Sequence, residues 1–157
     1  MTADPPEPFR IRDFDGSVDE YLRRCRWQLA AALDGHIEVD GRPILPHWDF
    51  DKEFWHVVTS GAWQSQRVLD LERCALMGQV WDTLERLAAG DPQVISWREN
   101  KRRPKPHGGT RRFLMVAPAD FSLVVRLRDR PALLAFCTAY PLGADHAERM
   151  RARAAAA

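Results

Sequence analysis

The feature that most constrains the fold is a change in the spacing of apolar residues at positions 90–92, where Gly, Asp and Pro follow one another. Before this point, apolar residues recur every three or four positions over residues 21–33 and 69–88, which is typical of amphipathic helices. After it, short apolar runs and alternation with period two indicate strands. Helices followed by strands predict an α+β fold, with the N-terminal helices packed on one face of a C-terminal antiparallel sheet.

Local signals mark the ends of these elements. Ser17 and Glu20 have the spacing of a capping box at the start of the first helix, and Gly35 follows its end. A short hairpin is predicted around Asp40 and Gly41, whereas residues 47–56 are aromatic and acidic without an assignable period. We predict about four strands, the last three forming an antiparallel meander, at residues 94–97, 113–117, 121–127 and 133–139.

The chain length of 157 residues suits one ordinary domain. Its first residues are rich in proline and have few partners to pack against, so we predict a flexible N-terminal arm over residues 1–16. A helix and hairpin follow at residues 17–49, and the main domain covers residues 50–142. Residues 143–157 are predicted to be an alanine-rich tail that frays.

The cysteines and the apolar runs bear on the compartment. Cys25, Cys74 and Cys137 are odd in number and far apart, so neither a disulfide framework nor a zinc site is predicted. The acidic, proline-containing N-terminus lacks the apolar segment of a signal peptide, and no apolar run reaches the length of a bilayer. We therefore expect a cytoplasmic monomer with no membrane association, no bound metal and no cofactor.

The near-neutral total charge conceals two very different halves. A formal net charge of +1 argues at first against a strongly cationic nucleic-acid binder. Residues 1–97, however, hold 10 basic and 17 acidic side chains, a net charge of −7, whereas residues 98–157 hold 13 and 5, a net charge of +8. The second half thus has the charge of a polyanion-binding surface. Alternatively, the two halves neutralise each other within a scaffold protein that has no nucleic-acid role.

The positive charge is concentrated in one connection and on one strand. The link that begins at Arg98, between the first two predicted strands, is long and basic, a composition typical of contacts with a polyanion. In the third strand, alternation turns the apolar residues from Phe121 to Leu127 toward the helices, so that Arg126 and Arg128 point outward. Together they predict an RNA phosphate-binding surface formed by Lys101, Arg102, Arg103, Lys105, Arg111, Arg112, Arg126 and Arg128.

Four further residues suit phosphoryl transfer without a metal. His56 lies in a polar, turn-bound segment, and an imidazole pKa of about 6.5 suits proton transfer near neutrality. Arg67 supplies a fixed positive charge for a phosphate, and Thr138 and Tyr140 place two hydroxyls on one strand face. In such a site a base removes the proton of the RNA 2′-hydroxyl, which attacks the adjacent phosphorus, and an acid protonates the departing 5′-oxygen.

Each of these residues also has a purely structural interpretation. His56 is flanked by tryptophans and suits a packed, hydrogen-bonded position, Tyr140 suits the edge of a core, and Arg67 is spaced to pair with Asp70. The residue pattern by itself leaves both interpretations open.

The order of these residues resembles a known family. His56, Arg67 eleven residues later, a helix, a basic stretch, two apolar strands and the ending Thr138-Ala139-Tyr140-Pro141 resemble the bacterial ribonuclease A-like toxin domain. That domain is found at the C-termini of contact-dependent inhibition and other polymorphic toxins, within a wider group of barnase, EndoU, colicin and RelE-like nucleases. The resemblance covers about residues 50–142, and residues 1–49 resemble no family.

The resemblance implies a metal-independent endoribonuclease of toxin type. It implies that His56 is the general base or acid, that Arg67 binds the phosphate, and that Thr138 and Tyr140 orient the phosphate or relay a proton. It also implies two partners: an RNA substrate, with transfer RNA among the candidates, and an acidic immunity or antitoxin protein that covers the site in the producing cell.

Three points stay open at this level. Either His47 or His107 is a candidate for a second acid–base group. A non-catalytic RNA-binding or regulatory module would use the same basic link and stack bases on Trp97 or Tyr140. A metal site would have to come from the Asp/His cluster of the unassigned segment, whose spacing matches no standard ligand pattern: His47, Asp49, Asp51 and His56.

Overall fold

The structure, a computed structural model, describes residues 4–61 and 67–157. Within these residues, a short 3₁₀ turn at Ile11–Asp13 precedes the helices α1 (Val18–Ala32), α2 (Phe50–Val58), α3 (Leu71–Ala75), α4 (Met77–Ala88) and α5 (Ala144–Ala156). The strands are β1 (Glu38–Val39), β2 (Arg42–Pro46), β3 (Thr59–Ser60), β4 (Val68–Leu69), β5 (Val94–Arg102), β6 (Thr110–Pro118), β7 (Leu123–Asp129) and β8 (Leu134–Pro141).

The helix-then-sheet order confirms the predicted α+β class, but the prediction of four antiparallel strands was wrong. The main sheet has six strands in the order β1-β2-β8-β7-β6-β5, and it is mixed because β2 pairs with β8 in parallel. This pairing joins Ile44 to Leu134 and Pro46 to Phe136, some 90 residues apart in the chain. Such long-range pairing leaves no local period in the sequence, so the hairpin predicted around Asp40 and Gly41 was not counted among the strands of the sheet.

The helices also differ from the predicted ones. Ser17 caps α1 as expected, with its hydroxyl accepting from the Glu20 backbone N–H at 3.2 Å. The single helix predicted for residues 69–88 is divided at Leu76 into α3 and α4. The unassigned segment forms α2. Its N-cap is Asp49, whose carboxylate accepts from two backbone N–H groups of the first turn.

One face of the sheet, called the helix-side face, carries the larger core. Helix α1 packs on α4, which lies against β5 and β6, while α2 and α3 lie against β8. The sheet contributes buried residues that alternate along the strands: Leu114, Val116, Leu123, Val125, Leu127 and Phe136.

The opposite face, called the α5-side face, is apolar at one end only. The residues predicted to form a fraying tail instead form α5, whose Ala147 and Met150 are buried on this face. Arg153 ties the helix to Glu99 of β5. Phe121 was predicted on the helix-side face and lies on this one, because its positive φ of 52° turns the chain before β7. The sheet residues of this second core are Trp97, Phe113, Met115, Ala117, Phe121 and Val124.

The N-terminal segment predicted to be a flexible arm is held against the helices over its described part. Phe9 donates its backbone N–H to the Ala75 carbonyl at 3.0 Å and accepts from the Tyr21 hydroxyl at 2.5 Å. The Arg10 Nη1 donates to both carboxylate oxygens of Glu72, at 2.7 and 2.8 Å. Residues 1–3 of that prediction lie outside the described residues.

The long basic link is shorter than predicted. Strand β5 continues through the first basic residues to Arg102, and β6 begins at Thr110, its register partner. Only residues 103–109 connect the two strands. Most of the predicted loop is therefore a hairpin in which alternate side chains point to opposite faces.

Candidate functional site

His56 occupies the last turn of α2, where an arginine holds the end of the helix. The Arg67 guanidinium donates to the His56 carbonyl at 2.6 Å, to the Thr59 carbonyl at 2.7 Å and to the Thr59 hydroxyl at 2.8 Å. The His56 carbonyl is one of the backbone acceptors that a helix leaves free at its C-terminus. Arg67 thus fixes the backbone that carries His56 and places a positive charge beside it.

Arg73, a residue that the sequence pattern did not single out, connects this helix end to the sheet. It lies on α3, where its Nη1 donates to the Thr59 carbonyl at 3.4 Å. Its guanidinium carbon lies 6.0 Å from the ring centroid of Tyr140 on β8. One side chain therefore contacts both the segment after His56 and the predicted tyrosine.

The hydroxyl pair of β8 faces the same way as Arg126 of β7. The register pairs Arg126 with Thr138, and Val124 with Tyr140, so these side chains share the α5-side face as predicted. The register shifts between Arg126 and Leu127, which inserts Cys137 as an extra residue in β8. The Arg126 guanidinium carbon lies 5.0 Å from the Phe113 ring centroid, and its buried Nε has no hydrogen-bond partner.

The electrostatic environment of His56 keeps its imidazole neutral. Burial lowers the pKa of His56, and the positive charges of Arg67, Arg73 and Arg126 lower it further. A neutral imidazole at pH 7 has a free lone pair that accepts a proton. His56 therefore has the protonation state that a general base needs.

The pKa of Tyr140 is shifted in the opposite direction from that of His56. Burial raises the pKa of its phenol, an effect that Glu99 reinforces and that Arg126, Arg153 and Arg73 partly oppose. The phenol stays protonated at neutral pH and is a hydrogen-bond donor. The charges of Arg73 and Arg126 act on the pKa of both His56 and Tyr140. Arg73 is also the side chain that contacts both the segment after His56 and the Tyr140 ring.

The predicted RNA-binding residues are divided between the two faces by strand alternation. The ladder of β5, β6 and β7 places four of them on the α5-side face: Lys101, Arg111, Arg126 and Arg128. Arg102 and Arg112 point to the helix-side face, where the Arg112 guanidinium lies 3.4 Å from Asp129. Arg103 and Lys105 lie in the connection between β5 and β6.

The cations on the α5-side face repel one another. Burial lowers the pKa of Lys101, and so do the charges of Arg126 and Arg153. Burial likewise lowers the pKa of Arg128, with further lowering by Arg130, Arg111 and Arg103. A surface whose cations are close enough to disfavour one another's charge attracts an anion that neutralises several of them.

The residues of the metal alternative are engaged in other ways. Asp49 caps α2, and Asp51 accepts a hydrogen bond from Arg26 at 3.0 Å. His47 and His56 both contact the Trp48 ring. Among the residues that the structure describes, no three His, Cys, Asp or Glu side chains are grouped so that they could hold a metal ion.

No protein-family model, curated protein or solved structure matches the chain. Over residues 4–61 and 67–157, none of the helices combines the length and the apolar character needed to cross a bilayer.

Proposed function

We propose that the protein is a metal-independent endoribonuclease whose catalytic centre lies between the end of α2 and the α5-side face of the sheet. The observation that supports this best is that Arg73 contacts both the segment after His56 and the Tyr140 ring. The lowered pKa of His56 and the raised pKa of Tyr140 agree with the roles of base and proton donor. A base, a hydroxyl donor and two fixed positive charges are the groups that RNA transphosphorylation requires.

In the proposed reaction, His56 accepts the proton of the ribose 2′-hydroxyl as its oxygen bonds to the adjacent phosphorus. Arg126 and Arg73 stabilise the negative charge that develops on the phosphate oxygens. The bond from phosphorus to the 5′-oxygen breaks, and the Tyr140 phenol donates a proton to that oxygen, because a sugar alkoxide is far more basic than a phenolate. The products are a 2′,3′-cyclic phosphate and a free 5′-hydroxyl.

Two predicted residues have narrower roles in this proposal. Arg67 positions His56, since its guanidinium is largely committed to the carbonyls and hydroxyl at the end of α2. Thr138 lies across from Arg126 and orients the same phosphate. The remaining cations of the face hold the flanking phosphates, and an acidic inhibitor protein, as the family resemblance suggests, would bind the same cations.

The test is a cleavage assay on single-stranded RNA and bulk transfer RNA with EDTA present. We expect wild-type protein to cut both and leave 2′,3′-cyclic phosphate ends, and to spare an RNA that is 2′-O-methylated throughout. His56→Ala should abolish cleavage. His36→Ala is the matched control, because His36 is exposed and pairs with Asp34 and Glu85, away from the site.

Intact RNA after long incubation with wild-type protein would contradict the proposal, as would equal cleavage by His56→Ala and wild type. Tight, salt-dependent binding of RNA without cleavage would instead support the non-catalytic RNA-binding module.

A further inference from the structure

An open groove of about 590 Å³ lies beside His56. Two tryptophans line it, and Trp48 and Trp55 are 49% and 47% exposed, so about half of each side chain is open to solvent. Asp51, Lys52 and His56 complete the lining. Large aromatic side chains are enriched at binding surfaces, and two of them on one groove indicate a ligand with a flat apolar face.

Contacts with the two neighbouring histidines fix the orientation of Trp48. Its ring centroid lies 5.2 Å from that of His56 at an interplanar angle of 78°, and 5.4 Å from that of His47 at 45°. The indole is therefore supported on two sides while half of the side chain stays exposed. A platform held in this way loses little conformational entropy when a ligand stacks on it.

The position of the groove favours a nucleic-acid ligand over a purely apolar one. His56 lines the groove, and the Arg67 and Arg73 guanidiniums lie at the end of the same helix. Within the groove itself, Lys52 supplies a cation, and the Asp51 carboxylate is paired with Arg26. A ligand that joins a flat ring to a phosphate would stack its ring on the tryptophans and direct its phosphate toward His56 and Arg73.

We propose that Trp48 and Trp55 form a stacking platform for an unpaired nucleobase of single-stranded RNA, next to the phosphate that His56 addresses. This rests on the proposed function, and it adds that the substrate is single-stranded at the cleavage position, since a base held in a duplex has no exposed face to stack.

The experiment measures binding separately from cleavage. The probe is a fluorescein-labelled 2′-O-methyl RNA hexamer, which lacks the free 2′-hydroxyl, compared with an abasic hexamer of the same backbone at one fixed salt concentration. We expect Trp48→Ala and Trp55→Ala each to weaken binding of the hexamer by about tenfold and to leave binding of the abasic probe nearly unchanged.

Two further variants control the measurement. Trp27→Ala is the matched control, because Trp27 is 61% exposed on α1 and packs against Trp81. Trp48→Phe should recover most of the affinity lost in Trp48→Ala, since it restores an aromatic face. If Trp48→Ala fails to fold, Trp55→Ala alone decides, because an exposed helix residue is tolerant of substitution.

The inference is overturned if the tryptophan variants bind the hexamer as tightly as wild type, or lose affinity for the abasic probe equally. Loss in Trp27→Ala to the same extent would also overturn it. These outcomes are distinguishable from failure of the proposed function: stacking with no RNA cleavage refutes the nuclease alone, whereas cleavage with an unchanged KM in both tryptophan variants refutes the platform alone.

Discussion

The two faces of the sheet are built from the same strands and serve different purposes. On the helix-side face, alternate residues such as Leu127 and Phe136 are fully buried under the helices. On the α5-side face, the intervening residues include an apolar cluster with α5 and the cations Lys101, Arg126 and Arg128. Period-two alternation thus separates a stabilising face from a proposed binding face within each strand.

The difference between the two faces predicts where substitutions should affect stability and where they should affect activity. Removing apolar volume from the helix-side face leaves a cavity in a close-packed core. Replacing Arg126 on the α5-side face relieves its repulsion with Lys101, and its buried Nε has no hydrogen-bond partner to lose.

The largest effect on stability is expected from Phe136→Ala. Phe136 is fully buried and pairs with both β7 and β2, so we expect the free energy of unfolding to fall by about 3–5 kcal/mol. Urea denaturation followed by circular dichroism measures this. Val68→Ala is the control, since Val68 is 63% exposed and should change stability by less than about 0.5 kcal/mol. A similar small change in Phe136→Ala would contradict the assignment of the core.

Arg126→Gln should separate activity from stability. We expect the rate of RNA cleavage to fall by about a hundredfold or more, because a fixed charge on the transferring phosphate is lost. The free energy of unfolding should change by less than about 1 kcal/mol, since the buried Arg126 Nε has no hydrogen-bond partner to lose. Single-turnover kinetics and urea denaturation of the same preparation test both parts. Loss of the fold together with activity would show that Arg126 is structural.

Glu53→Gln tests a buried carboxyl on the helix-side face, where α2 lies against β8. Glu53 is fully buried, and burial raises the pKa of its carboxyl from 4.5 to about 8. The nearby Trp48 backbone N–H lowers this pKa in part. It lies outside hydrogen-bond geometry, so neither carboxyl oxygen of Glu53 has a hydrogen-bond partner. Between these values the folded state retains a proton that the unfolded state has lost, so stability falls as pH rises.

We expect the wild-type protein to lose about 3–4 kcal/mol more than Glu53→Gln between pH 5 and pH 8. The measurement is the free energy of unfolding in urea across that pH range. Parallel profiles for the two proteins would mean that Glu53 ionises normally in the folded state.

The smallest effects on RNA binding are expected from replacing single cations of β5. The size of each effect should depend on the sheet face on which the cation lies. Lys101→Gln on the α5-side face should weaken RNA binding by several-fold and reduce the salt slope by about one. Arg98→Gln should change binding by less than about twofold, because Arg98 lies on the helix-side face, 3.0 Å from Asp129. Binding isotherms at several salt concentrations decide, and equal losses in both variants would remove the distinction between the faces.

Much of the fold could be predicted because its signals are local. The Ser17 cap, the spacing of α1 and the alternation of β7 each depend on residues within a few positions of one another. Helix α5 could also have been predicted, since alanine is the strongest helix former. The sheet face on which it packs could not. Helix α2 was missed because its pattern is inverted: Trp55 is half exposed and Glu53 is fully buried.

The sequence by itself determined which side chains of β7 share a face, the separation of charge between the halves, and His56, Arg67, Thr138 and Tyr140 as candidate residues. Only the tertiary structure decided that β2 joins β8 in parallel, that Arg67 is committed to the end of α2, and that Arg73 links this helix end to Tyr140. The reason is physical: periodicity follows from local backbone geometry, whereas the position of a helix end over a sheet depends on contacts between residues far apart in the chain.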